Sequence, residues 1–254
     1  MEFRISPSAV LKGLSLVAIA LTVANLVGVL AQQIPGHGTF GGLLNLFDFN
    51  SEQNIPTFYS SINLMLSALL LSFIALQRKS SGVTWLPWAG LSVILGFLSI
   101  DETASLHEQL AAPMQQMLNI SGAFYYVWVI PYVALAGILF LLYFKFLMKL
   151  PARTRTLFIL AGITFITGAV GFEVLGNLLV KATGSDKTLA YRLLFTCEEL
   201  LEMLSVIAFI YTLLDYMVMQ LGKVNICLEN PLPKAKLSRL DRGIDSNLSD
   251  FTQI

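Results

Sequence analysis

The sequence predicts an all-α protein: a six-span transmembrane helical bundle with both termini in the cytoplasm. Three observations predict it. The chain is 56% hydrophobic and 13% charged, with a mean hydropathy of +0.72, whereas soluble domains are about a quarter charged. Six apolar stretches are each long enough to supply the roughly 20 helical residues that a bilayer core requires. Basic residues are dense in every second connection and sparse in the others, the pattern that orients membrane proteins.

The first stretch, residues 10–31, follows a basic flank. It is longer than the roughly 7–15 apolar residues of a secretory signal, and "VLA" is a poor cleavage site, so an uncleaved span is expected. The second, 57–76, is opened by Pro56, since proline is tolerated in a helix's first turn. The third runs over 88–110 and the fourth over 125–147, with Pro131 expected to kink the fourth. The fifth, 156–180, contains Gly162, Gly168, Gly171 and Gly176. Small residues let helices approach closely, so this span is expected at the centre of the bundle. The sixth covers 192–220. Trp85, Trp88, Tyr125, Tyr126 and Trp128 fall near span ends, where an aromatic belt places them.

Arg4, Lys12, Arg78, Lys79, Lys145, Lys149, Arg153 and Arg155 fall on one side with five basic residues of the C-terminal stretch, 13 of the 16 in the chain. Lys181, Lys187 and Arg192 fall on the other. The first side is therefore cytoplasmic. The organisation expected is a transmembrane domain over 1–222 and a polar cytoplasmic tail over 223–254, whose basic residues suit anionic lipid heads. Zero net charge suggests no nucleic-acid partner. Cys197 in a span and Cys227 beyond the last one make a disulfide improbable. There is no repeat, nucleotide-binding glycine loop or CxxC pair, and "GHGTFGG" reads as an outer loop.

Seven carboxylates lie in or at the ends of these spans: Asp101, Glu102, Glu108, Glu173, Glu198, Glu199 and Glu202. Ionisable groups there are costly to insert and point to a functional site. At 1.5 Å per residue, Asp101 lies roughly 20–24 Å in from the cytoplasmic end of its span. Glu173 and Glu198–Glu202 reach the same outer layer, with Asn25, Ser60, Ser61, Asn63, Asn177 and His107. Helical phase puts Asp101, Ser105 and Glu108 on one face, Glu198 and Glu202 on another, and Glu173 with Asn177. Glu102 and Glu199 point about 100° away, which makes them weaker members of a common centre.

Carboxylates gathered at one depth repel unless a cation, a shared proton or an arginine lies between them. The expected metal ligands are Asp101, His107, Glu108, Glu173, Glu198 and Glu202. An oxygen-rich set with a histidine suits a divalent iron, manganese or zinc ion. The repeated Glu-x-x-His spacing of di-iron bundles is only partly matched. No catalytic residue and no organic-cofactor site are assigned. His37 reads as a solvated loop residue, and Asp215 is expected to meet Lys145, Lys149 or water. A structural polar network and a proton or cation pathway are the competing readings.

The stretches "LFDFNSEQNIPTFYSS", "FLSIDETASLHE" and "CEELLEMLSVIAFIYTLLDY" resemble those of a family of uncharacterised bacterial multi-span integral membrane proteins. The resemblance implies a membrane fold and no particular activity. The last span lacks the Schiff-base lysine of rhodopsins, and facing histidines for haem or chlorophyll are absent. The leading expectation is a metal-dependent protein of a bacterial plasma membrane, or of a thylakoid membrane in a photosynthetic source, with its site opening to the outside. Whether it is an enzyme is left open. A proton- or cation-coupled carrier comes next, and a structural or assembly subunit working with other membrane subunits third. The lipid bilayer is the partner common to all three.

Overall fold

A computed structural model describes residues 6–34, 45–106, 109 and 129–221. The described residues are all-α: α1 (Pro7–Ala31), α2 (Ile55–Ser80), α3 (Leu86–Ala104), α4 (Val129–Lys149), α5 (Ala152–Ile166), a π-helical turn (Thr167–Phe172), α6 (Glu173–Thr183) and α7 (Leu189–Gln220). The segment from α5 through α6 is one continuous helix. Prolines stand in the first turns of α1, α2 and α3. Asn54 caps α2 by accepting from the Thr57 N–H, and Thr188 caps α7 by accepting from the Tyr191 N–H, each satisfying a donor that a helix start leaves unpaired.

Among the described residues, three helices are long and apolar enough to cross a bilayer by length and composition: Pro7–Ala31, Ile55–Ser80 and Ala152–Thr183, with mean hydropathies of 2.3, 1.8 and 2.0. The sequence predicts six. The third prediction is shortened because Ser105 adopts a left-handed conformation (φ 50°) and ends α3 at Ala104, short of residue 110. The sixth carries Arg192, three glutamates and Asp215 along one helix. The fourth begins among residues outside those described, so Pro131 stands in the first turn of α4 as described. The predicted tail, 223–254, also lies outside the described residues.

The central element is α7, which packs against α1, α2, α5, the π turn and α6. The glycine-rich fifth span is peripheral, with 22% of its apolar window buried. Its glycines serve local approach instead: Gly168 and Gly176 lie against α7, while Gly162 faces open space. The hairpin of α2 and α3 is closed by small hydroxyl residues. Ser61 and Ser99 each donate to the other's carbonyl (2.8 and 2.9 Å), and Ser92 donates to the Ala68 carbonyl (2.7 Å).

Trp88, expected in an aromatic belt, is instead 1% exposed. It lies among Phe146, Phe158 and Tyr216, edge-on to both phenylalanines. The α2–α3 turn carries the chain back so that the start of α3 meets the ends of α4 and α7, and this makes Trp88 a core residue. Arg78 donates to the Tyr216 hydroxyl at 2.7 Å beside it. Asp215 meets neither lysine. Arg153, in the first turn of α5, holds it in a forked pair (2.9 and 3.1 Å) and also donates to the Tyr211 hydroxyl. The planar guanidinium suits this two-point contact better than an ammonium group does.

Candidate functional site

At the opposite end from Trp88, α7 presents Glu198, Glu199 and Glu202. Glu198 and Glu199 precede Glu202 by four and three residues, so both are its neighbours on the helix surface. Among the described residues, the charges acting on these three groups come from carboxylates. Glu198 is coupled to Glu173 and Glu199. Glu199 is coupled to Glu202, Glu102 and Glu52. Glu202 is coupled to Glu102, Glu198, Glu173 and Glu52. Six carboxylates from four elements thus converge, with Glu202 at the hub. The Glu173 and Glu198 carboxyl groups lie within hydrogen-bonding reach of each other, an arrangement in which the pair can share one proton.

Each element is held in place by identifiable contacts. Glu52 arrives on the loop before α2. Asn54 gathers that loop by donating to the Asp48 and Ser51 carbonyls (2.6 and 2.7 Å), and Gln53 turns it with φ 60°. Buried Asn25 of α1 accepts from the Phe49 N–H at 3.0 Å and donates to the Thr196 hydroxyl of α7 at 2.8 Å. One amide therefore ties α1, the loop and α7 together, two residues from Glu198. Arg192 completes the tie by pairing with Asp48 at 3.4 Å. Ser105, at the end of α3, donates to Glu52 at 3.3 Å.

Glu102 follows Ser99 by three residues and so shares the side of α3 that meets α2. Glu173 is the first residue after the π turn and is buried. π-Bulges often occur at functional sites, and this one packs on α7 beside the cluster. A methyl group at Gly168, within it, would come 3.0 Å from Glu202 Cγ and 3.1 Å from the Glu198 carbonyl. Farther along α2, the buried Asn63 amide lies beside the Tyr59 hydroxyl, and the Ser60 hydroxyl makes no hydrogen bond among the described residues.

Of the expected ligands, Glu173, Glu198 and Glu202 come together. Asp101 is buried on α3, and its neighbour Glu102 acts on Glu199 and Glu202. His107, Glu108 and His37 lie outside the described residues. Glu102 and Glu199, set aside on helical phase, belong to the cluster because the acids surround α7 from several directions. Phase on one helix only selects a common centre when the partners lie on one side. Glu52 carries no local signal in the sequence, since its loop is placed by Asn25. Among the described residues no three histidine, cysteine or acidic groups already stand close enough to hold a metal ion.

The family model described as Domain of unknown function (DUF8692) matches residues 14–217, which include every acid of the cluster. No curated protein and no solved structure matches the chain. The chain belongs to the DUF8692 family.

Proposed function

We propose that this is a multi-pass protein of a bacterial plasma membrane, or of a thylakoid membrane, that binds a cation in its acidic cluster from the extracytoplasmic side. The full proposal has six spans and both ends in the cytoplasm. The observation that carries it is the convergence of Glu52, Glu102, Glu173, Glu198, Glu199 and Glu202, in which the charges acting on the three α7 glutamates are themselves carboxylates. Such a group calls for a positive charge at its centre, and an oxygen-rich set joined by a histidine suits iron, manganese or zinc in divalent form. The carboxylates would draw inward around the ion, with Glu202 as the common ligand. Asp101, His107 and Glu108, close in sequence to Glu102, are the further ligands proposed.

A second reading is favoured by the Glu173–Glu198 carboxyl pair: the cation is a proton, and the cluster belongs to a proton-coupled carrier. Ser60 and buried Asn63 extend polar character along α2 for such a path. Elemental analysis of purified protein separates the two. The metal reading expects about one ion or more per chain, reduced in Glu202→Gln with membrane insertion intact. Metal-free protein whose carboxyl infrared bands titrate, and change in Glu198→Gln, supports the proton reading and sinks the metal one.

A further inference from the structure

Between α3, α4, α5 and α7 lies a cavity of about 300 Å³, within the size range of small-ligand pockets. Two of its lining side chains, Ser205 and Tyr143, carry polar atoms. Ser205 donates to the Glu202 carbonyl at 2.7 Å, and the Tyr143 hydroxyl lies against Gly90. The remaining wall is hydrocarbon or glycine, and an apolar space of this kind does not fill stably with water. Along α5 it follows the helix from Phe158 to Ile166, about 12 Å.

The cavity opens sideways. Phe140 and Ile166 line it and are 55% and 50% exposed. The surface around this mouth is apolar: Leu141 and Leu142 on α4, and Leu160 and Ile163 on α5, are exposed large hydrophobics. Among the described residues, α4 lacks the close backbone packing that joins α2 to α3, and the cavity occupies the space this leaves. In a bilayer the medium outside such a mouth is acyl chain, at a depth where backbone and side chains offer nothing polar.

We propose that the cavity holds one acyl chain of a bilayer lipid, entering between α4 and α5 and ending against Phe209 and Ser205, within a turn of Glu202. The proposal rests on the bilayer placement of the chain, not on the nature of the cation. It assigns the protein a lipid-binding site that adjoins the acidic cluster from below.

The test uses full-length protein in phosphatidylcholine vesicles containing a phosphatidylcholine with a diazirine near the middle of one acyl chain. After photolysis the labelled positions are mapped by peptide mass spectrometry. Labelling is expected at Leu141 and Leu142, which report contact with the bilayer, and also at Phe209. Gly162 lies at the mouth with nothing within 4 Å of an added Cβ, so Gly162→Phe fills or closes the space without backbone conflict. Ala136→Phe intrudes from the facing wall. Either variant should lower labelling at Phe209 by about tenfold, since close-packed groups cannot share one volume, while labelling at Leu141 persists. Gly137→Leu, exposed and outside the cavity, should change neither. Labelling at Leu141 and Leu142 but not at Phe209 overturns the proposal and leaves the bilayer placement standing, including the case where a second copy of the chain covers the mouth. Absence of label at all three positions overturns both. Labelling at Phe209 that neither phenylalanine variant lowers also overturns it.

Discussion

Gly168 lies directly against Glu202: a Cβ on the glycine would stand 3.0 Å from Glu202 Cγ. The contact joins the π turn to the hub of the acidic cluster with no side chain between them. It explains how the π turn comes so close to α7 at this point. Gly168→Ala should lower stability by about 1–3 kcal/mol, the usual cost of overpacking, because the Glu198 carbonyl at 3.1 Å is backbone and cannot turn aside. Gly162→Ala, in open space on the same helix, should be neutral or mildly stabilising. Thermal unfolding in detergent compares the two, and equal midpoints would contradict the close approach.

Asn25 should matter out of proportion to its size. Asn25→Ala strands the buried Phe49 N–H, and an unpaired buried donor costs about 1–3 kcal/mol. Freed from α1, the loop that carries Glu52 should open. A single cysteine at Glu52, in a background with Cys197 and Cys227 replaced, should react faster with a water-soluble maleimide in Asn25→Ala than with Asn25 intact. Unchanged reactivity would mean that Arg192–Asp48 and Asn54 hold the loop alone.

The forked pair of Arg153 and Asp215 lies at the far end of α7, with Arg153 more than half exposed. Its contribution to stability should be small and reduced by salt. Its specificity is the more readable property. Asp215→Arg alone sets two cations together and should lower the unfolding midpoint, and the exchange Arg153→Asp with Asp215→Arg should recover most of the loss. Failure to recover would show that Tyr211, to which Arg153 also donates, is the more important partner.

Topology is tested independently of any side-chain contact. Reporter fusions after Lys79 and after Arg155 should report the cytoplasm. Fusions near Phe47 and near Met117 should report the outside. One reversed signal breaks the six-span proposal, and reversal of all four would turn the acidic cluster to the other compartment.

The apolar stretches by themselves determined that this chain is helical and where most helices run. Hydrocarbon length and flanking prolines act locally, so observed ends such as Ala31 and Gln220 coincide with the expected ones. The acids were legible as a group because charge within an apolar stretch stands out residue by residue. Which of them meet was not. Glu102, which helical phase made a weaker member, acts on Glu199 and Glu202, because the pairing of α2 with α3 through Ser61 and Ser99 sets the rotation of α3. Glu52 joins through Asn25, a contact across 24 residues from Phe49 and 171 from Thr196. Trp88 left the expected belt for the core, and Asp215 took Arg153 rather than a lysine, for the same reason. Periodicity records what each helix can present, whereas the packing of one helix on another decides what it faces.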